Sequence, residues 1–239
     1  MTPSSTNGDR SPLRKVAPNL WVAEAQLKLP IGLGYLPYRM TVIRLADGSL
    51  FLHSPIRLDA TIRVALEKLG PVHAIVAPSR AHHLFVADYV KAFGQAWLHG
   101  APSLMEKRRD LKFNSILGDL APAQWSGQIE QHLFLGAPLL NEVVFFHPLT
   151  RSVIFTDLIF NLTPEQAAQA RVFHLLTGAA GRFGPHRLIR RMISNRSAAL
   201  QSVETILEWN FDRIIMAHGD LLEGFGRACV RAAFSFLWS

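Results

Sequence analysis

The first hundred residues alternate between short apolar runs and helical patterns, and this order constrains the fold most. Apolar runs at 50–53, 72–77 and 95–99 have the length of strands, and helical repeats at 59–70 and 82–93 separate them. Neighbouring parallel strands need a crossover connection of this kind, usually a helix. The sequence therefore predicts an α/β protein whose sheet contains some parallel pairing.

Two strands and a tight turn precede this alternation. A strand is predicted at 19–25, and a loop rich in glycine and proline at 27–38. The strand at 40–45 is joined to the strand at 50–53 by 46–49, whose Asp-Gly sequence is typical of a hairpin turn.

Local signals place the ends of the first predicted helix. Asp59 lies at the position of an N-cap, and apolar residues such as Ile62 and Leu66 follow at helical spacing. Gly70 and Pro71 come directly after the repeat, and both residue types end helices.

The second half of the chain begins with a hairpin and continues with helical patterns. The region 103–125 is not assigned to an element. Pro185 is expected in the first turn of its helix, where the missing N–H does no harm. The predicted elements are strands at 142–146 and 152–156, helices at 164–176, 185–194 and 196–209, a strand at 213–217, a turn at 218–220 and a final helix.

Composition indicates one globular domain. The chain has 239 residues, of which 49% are hydrophobic and 18% charged, enough apolar material for a core. No linker or low-complexity tract divides the chain. We expect a disordered tail at 1–15 and a single domain at 16–239.

The location predicted from the sequence is the cytoplasm. Cys229 is the only cysteine and cannot form an internal disulfide, so nothing favours an oxidising compartment. The first 15 residues lack the apolar centre of a secretory signal, and no apolar run approaches the roughly 20 residues needed to span a bilayer.

The chain carries an excess of positive charge. The formal net charge is +7, which attracts anionic partners. Basic clusters lie at 107–109 and at Arg187, Arg190 and Arg191, but no nucleic-acid motif accompanies them, and nucleic acid is not the expected partner. We expect a small-molecule, anionic substrate, and the high apolar content is also compatible with a homo-oligomer.

Four segments that contain polar residues at predicted strand ends follow one another in an order that suggests a known type of fold. They read Phe-Leu-His-Ser-Pro at 51–55, Ala-Pro-Ser-Arg-Ala-His-His at 77–83, Ile-Phe-Thr-Asp at 154–157 and Ala-His-Gly at 217–219. From about residue 16 to 222 the chain resembles the metallo-β-lactamase superfamily, in particular an uncharacterised bacterial branch, a domain of unknown function. The resemblance implies an αββα sandwich with metal ligands on loops at strand ends.

The chain departs from the superfamily at half of the ligand positions. The superfamily loop T-H-x-H-x-D-H has Pro78 and Arg80 here in place of its first two histidines, His82 in place of its aspartate, and His83 as its last histidine. The segment 135–138, which should contain the middle histidine, has none. The ligands of one metal are therefore missing.

The ligands of the other metal are retained or replaced by a residue that can bind metal. The resemblance places His82, His83, Asp157 and His218 around one divalent ion, zinc or iron. His53 replaces an acid at the end of the early hairpin and is expected to pack or hydrogen-bond beneath this site.

Two functions follow from this ligand set. The first is a metal-binding protein acting as a mononuclear metal-dependent hydrolase of a small substrate, with Asp157 or Asp220 as the base and Arg80 holding an anionic group. The alternative is a catalytically inactive binding or interaction module that keeps the fold and uses its histidines for packing.

Overall fold

The protein is described by a computed structural model, which covers residues 11–179 and 181–238. This part of the chain contains eleven strands, eight α-helices and three short 3-10 helices. The strands are β1 (Arg14–Ala17), β2 (Leu20–Lys28), β3 (Tyr35–Arg44), β4 (Leu50–His53), β5 (Val72–Ala77), β6 (Trp97–Gly100), β7 (Ser115–Ile116), β8 (Glu130–Leu133), β9 (Val143–His147), β10 (Ser152–Asn161) and β11 (Arg213–Gly219). The helices are α1 (Ala60–Leu69), α2 (Val86–Ala92), α3 (Leu104–Lys107), α4 (Pro164–Gln169), α5 (Arg171–Thr177), α6 (Arg187–Met192), α7 (Arg196–Glu208) and α8 (Gly226–Ala233).

The strands form two sheets. The first sheet has the order β1-β2-β3-β4-β5-β6-β7, antiparallel from β1 to β4 and parallel from β4 to β7. The second sheet has the order β11-β10-β9-β8, with a parallel pair formed by β10 and β11. Helices α1 and α2 supply the crossovers of the first sheet, as the strand–helix alternation predicted.

Alternate side chains of each sheet enter different cores. In β9, Val143 and Phe145 pack between the two sheets, whereas Val144 and Phe146 pack against α6, α7 and α8. In β5, Ala74 and Val76 face the space between the sheets, and the residues between and after them face α1 and α2. This period of two gives three cores between four layers, which confirms the αββα sandwich.

Several elements have the predicted bounds. The strands β4 and β5 match the predictions at 50–53 and 72–77, and the hairpin of β9 and β10 is confirmed. Asp59 caps α1 by accepting a hydrogen bond from the backbone N–H of Ile62 at 2.8 Å, and Gly70 follows the helix.

Other predictions were wrong at element ends. Residues 35–38, predicted as loop, belong to β3, because β3 pairs with β2 along its whole length. The second helix begins at Val86 rather than at residue 82, since a turn occupies 82–85. Pro185 lies before α6, whose N-cap is His186. Residues 218 and 219, predicted as turn, extend β11.

The first strand begins within the segment that was predicted as a tail. β1 includes Arg14 and Lys15, which pair with β2, whereas the tail was predicted to reach residue 15. The rest of that prediction, residues 1–10, lies outside the described residues. Within the described ranges, no helix is both long and apolar enough to cross a membrane.

Candidate metal centre

Three predicted ligands meet at one edge of the sandwich. His82 lies on the turn between β5 and α2, Asp157 within β10, and His218 near the end of β11. The parallel arrangement of β10 and β11 directs their carboxyl ends to the same edge. We refer to His82, Asp157 and His218 as the triad.

The atoms of the triad form a compact triangle. The Nε2 atoms of His82 and His218 are 3.1 Å apart, and each lies 3.4 Å from Oδ1 of Asp157. The side chains are 1%, 3% and 13% exposed for His82, His218 and Asp157 respectively. Among the described residues, this is the only group of three or more His, Cys, Asp or Glu side chains with the spacing of a metal site.

A break in the strand register brings Asp157 to the site. Phe155 pairs with Met216 and Phe160 with His218, so four residues of β10 bulge out opposite a single residue of β11. Glu142 hydrogen-bonds the bulge, because its carboxylate accepts from the backbone N–H groups of residues 156, 157 and 158 at 2.7, 2.8 and 3.0 Å. The bulge therefore keeps its backbone donors satisfied while it presents Asp157.

Glu142 is a fully buried acid next to a second acid. Burial and the nearby Asp157 raise the pKa of Glu142 to about 8, although the hydrogen bonds from the bulge lower it. The position of Asp157 thus depends on a carboxyl group that does not itself line the cavity.

The second ring nitrogen of each histidine has a partner. The Nδ1 of His218 is 2.6 Å from the backbone oxygen of Pro37 in β3, which can only accept, so this nitrogen carries the proton. The Nδ1 of His82 is 2.7 Å from the hydroxyl of Ser54, directly after β4. In His218 the Nε2 lone pair therefore points to the centre of the triad.

Asp157 is held through both oxygens. Ser79 donates from its hydroxyl to Oδ2 at 3.3 Å, while Oδ1 faces the two histidines. Burial raises the pKa of Asp157, but His82 and His218 outweigh this effect and hold the pKa well below its usual range. The pKa of His82 is lowered by burial, which the charge of Asp157 only partly opposes.

Aromatic rings fix the planes of the two imidazoles. Tyr38 stacks on His82 with ring centroids 4.7 Å apart and an interplanar angle of 7°. Phe160 stacks on His218 at 4.7 Å and 20°. These contacts restrict rotation of both rings, which favours a preorganised site.

His83, predicted as the fourth ligand, does not join the triad. Its Nδ1 lies 3.1 Å from the guanidinium of Arg108, which also donates to the backbone oxygen of His83 at 3.1 Å. Since a guanidinium only donates, Nδ1 is the acceptor and Nε2 carries the proton. Burial, together with Lys107 and Arg108, lowers the pKa of His83 to about 4. The adjacent histidines therefore have different surroundings: His82 faces the triad, and His83 is hydrogen-bonded by Arg108.

His53 lies near His82, and within the described residues it forms no hydrogen bond to the triad. The side chain is buried against Phe145 with ring centroids 5.2 Å apart. Its Nε2 has no hydrogen-bond partner within the described residues. Burial and the proximity of His82 lower the pKa of His53 to about 3. The His53 ring is therefore neutral and packs close to His82.

The two remaining predicted site residues are placed differently. Arg80 lines a cavity at the triad, two residues before His82. Asp220 is exposed, accepts a hydrogen bond from the side chain of Gln166 at 3.1 Å, and is not among the residues that line this cavity. The structure does not bring Asp220 to the triad.

A cavity of about 590 Å³ opens onto the triad. Most of its wall is apolar. The apolar residues come mainly from 27–38, which was predicted as a loop, from α6, and from the connecting segments at 81–84 and 139–140. Its polar residues are the triad, Arg80, His83, Lys107 and His186. The apolar and aromatic residues are Leu27, Leu29, Leu36, Tyr38, Ala81, Leu84, Leu139, Leu140, Phe160, Phe173, Leu188, Ile189 and Met192.

Sequence reasoning missed the supporting residues of the site. Ser54 and Ser79 follow strands β4 and β5 at the edge where the ligands lie, and this placement was the available signal. Glu142 precedes a strongly apolar strand, where a charged residue is unusual. The role of the Pro37 backbone oxygen has no signal in the sequence.

Comparison with solved structures defines the class of fold. A metallo-β-lactamase from Pontibacter korlensis has a TM-score of 0.63 and 12% identity, with 95% of this chain and 98% of that chain covered. A metallo-β-lactamase from Erythrobacter litoralis has a TM-score of 0.66, 15% identity and 95% of both chains covered. A metal-soaked flavodiiron core from Synechocystis has a TM-score of 0.64 and 11% identity, covering 95% of this chain and 60% of that one. The chain has the metallo-β-lactamase fold.

Sequence comparison is more specific but covers less of the chain. A family model described as a domain of unknown function, DUF4336, matches residues 19–107. This segment contains β2 to β6 and, among the triad, only His82. No curated protein sequence gave a significant match.

Proposed function

We propose that the triad binds a single divalent metal ion and that the protein is a metal-dependent hydrolase of a small molecule. The observation that carries this proposal is the triangle of two imidazole nitrogens and one carboxylate oxygen, with edges of 3.1, 3.4 and 3.4 Å. Three protein ligands and one open position are typical of catalytic zinc sites.

The triangle has the dimensions of a zinc coordination shell. Zinc binds nitrogen and oxygen at about 2.0–2.2 Å, and the edge of a tetrahedron is about 1.63 times that length, or about 3.3–3.6 Å. The two edges to Asp157 fall within this range and the edge between the histidines is slightly shorter. A small movement of one ring is enough to accommodate the ion.

The protonation states also favour a cation. The proton on Nδ1 of His218 leaves a lone pair on Nε2, and Asp157 presents an anionic oxygen beside it. If His82 donates from Nδ1 to Ser54, three electron-rich atoms converge without a positive charge between them. A divalent ion removes this repulsion and uses all three as ligands.

The donor set suits zinc or iron. Two histidines and a carboxylate hold zinc in several hydrolytic enzymes and iron in mononuclear non-haem sites. The names of the structural neighbours, metallo-β-lactamases and a flavodiiron core, are compatible with either metal. We therefore propose one ion of either kind, held by the triad alone.

A metal ion held by the triad would act as a Lewis acid and would lower the pKa of a bound water molecule towards neutrality. The surrounding residues hold the side chains of the triad in position. Ser54 and the backbone of Pro37 fix the imidazoles, and Ser79 fixes the carboxylate. Because both oxygens of Asp157 are engaged, we assign this residue to holding the ion rather than to proton transfer.

An inactive binding module is the second candidate. The 3.1 Å separation of the two Nε2 atoms also fits a hydrogen bond, in which His82 donates to His218. In that case the side chains of the triad satisfy one another's hydrogen bonds at the end of an apolar cavity. The cavity then binds a ligand but catalyses no reaction.

Metal content separates the two candidates. The full chain, purified without a histidine tag, is compared by elemental analysis with the double variant Asp157→Ala/His218→Ala. The proposal expects about one zinc or iron per chain in the wild type and less than about a tenth of that in the variant. Circular dichroism of both proteins checks that the variant is folded.

Hydrolysis is tested on the metal-loaded protein. Chromogenic esters, lactones and phosphoesters are offered to the wild type and to the double variant. Turnover by the wild type alone supports the hydrolase. A full metal complement without any turnover overturns the hydrolase and leaves a metal-binding protein, whereas the absence of metal in the wild type favours the binding module.

A further inference from the structure

Apart from the triad and His186, the wall of the cavity consists of an apolar part and one cluster of hydrogen-bond donors. The donors come from two neighbouring segments, the turn after β5 and the end of α3. Lys107 donates to the backbone oxygen of Arg80 at 2.6 Å, which joins the segments. We refer to Arg80, His83 and Lys107 as the donor wall.

Each residue of the donor wall has a hydrogen-bond donor that can bind a ligand. Within the described residues, the guanidinium of Arg80 has no carboxylate partner, and the Lys107 ammonium contacts only a backbone oxygen. The Nε2–H of His83 is buried without a hydrogen-bond partner in that same part of the chain. Two positive charges and an unpaired N–H lining one cavity favour a ligand that brings an anionic acceptor.

The rest of the cavity favours an apolar ligand. Its lining includes Leu84, Leu139 and Leu188, which are 47%, 67% and 44% exposed although they are large and apolar. These leucines line the same cavity and leave apolar surface in contact with solvent. A ligand with an apolar body covers that surface and gains the free energy of its burial.

We propose that the site takes an amphipathic anion: a drug-sized molecule with an apolar body and one anionic head. The head binds at the donor wall and the body extends along the leucines. This inference rests on the proposed function for the reaction, since it names the substrate class of the same site. The volume of about 590 Å³ is within the range of sites for such ligands.

Calorimetric titration of the full chain with decanoate tests the proposal. Decanoate carries both chemical features, decan-1-ol lacks the charge, and acetate lacks the chain. We expect saturable binding of decanoate, binding of octanoate that is weaker by roughly tenfold, and no measurable binding of acetate. Equal affinities for acetate and decanoate would overturn the apolar part of the inference.

A charge variant tests the role of the donor wall. Arg80→Gln/Lys107→Gln is expected to weaken decanoate binding by roughly tenfold to a hundredfold and to leave decan-1-ol binding unchanged. The matched control is Lys91→Gln/Arg227→Gln, which removes two exposed charges that do not line the cavity. Equal weakening in both variants points to general electrostatic attraction and overturns the inference.

Titrations before and after chelation separate this inference from the proposed function. Decanoate binding that survives chelation and depends on the donor wall supports the substrate class even if the chain takes up no metal. Stoichiometric metal without decanoate binding overturns the substrate class alone. Decanoate binding that is lost on chelation but unaffected by the charge variant places the head at the metal, which also overturns the inference.

Discussion

The triad and the donor wall lie on the same cavity but present opposite chemistry. At the triad, His82 and His218 point ring nitrogens at a carboxylate oxygen. At the donor wall, Arg108 occupies the Nδ1 of His83, so that Nε2 presents a proton. The comparison indicates that the hydrogen-bond partner of Nδ1 determines whether Nε2 presents a lone pair or a proton to the cavity.

His82 and His83 provide the sharpest test of this difference. His82→Ala is expected to abolish stoichiometric metal binding, because it removes one of three ligands, whereas His83→Ala is expected to retain about one ion per chain. Elemental analysis after dialysis against trace zinc measures both variants beside the wild type.

Thermal unfolding gives the same test a second readout. With free metal at about 100 times its Kd, binding stabilises the wild type by about 2.7 kcal/mol, which raises the Tm of a chain of this size by roughly 5–11 °C. His83→Ala keeps this metal-dependent rise and His82→Ala loses it. Loss of metal from both variants would mean that His83 is a ligand and that the two regions are not distinct.

Ser54 tests whether the distal hydrogen bond matters to the triad. Ser54→Ala removes the partner of the His82 Nδ1, and loss of such a partner is expected to weaken metal affinity by about 10- to 100-fold. Competition with a chelator of known affinity measures the change.

A second serine–histidine pair supplies the control for Ser54. Ser115 lies 2.6 Å from the Nδ1 of His99, and neither residue lines the cavity. Ser115→Ala is expected to leave metal affinity unchanged. If Ser54→Ala has no more effect than Ser115→Ala, the orientation of His82 is set by packing against Tyr38 instead.

The fold could be predicted because its signals are local. The strands at 50–53 and 72–77 are apolar runs that end at turn residues, and Asp59 caps its helix within one turn. Residues 35–38 could not be assigned in the same way, because glycine and proline indicate a loop locally while pairing with β2 imposes an extended strand.

The sequence could predict only those features of the site that follow from the order of the strands. His82 follows β5, whereas Asp157 and His218 lie in the carboxyl-terminal halves of β10 and β11, so the strand order directs all three towards one edge. The contact between His83 and Arg108 joins residues that are 25 positions apart along the chain. The role of Glu142 depends on a register break between β10 and β11, which has no local pattern.

Arg108 gives the smallest expected effect and bears directly on the separation of the two regions. Arg108→Gln removes two hydrogen bonds to His83, at its Nδ1 and its backbone oxygen. The ion pair with Asp110 adds little, because Asp110 is 61% exposed. We expect the free energy of unfolding to fall by roughly 1–2 kcal/mol, which lowers the Tm by roughly 2–8 °C.

The neighbouring Arg109→Gln serves as the control, because Arg109 is exposed and has no ion-pair partner within the described residues. It is expected to leave the Tm within about 1 °C of the wild type. Metal content is expected to stay at one ion per chain in both variants. If Arg108→Gln changes the metal stoichiometry while Arg109→Gln does not, then release of His83 from the guanidinium alters the triad. The donor wall would then control the ligand set rather than merely lie beside it.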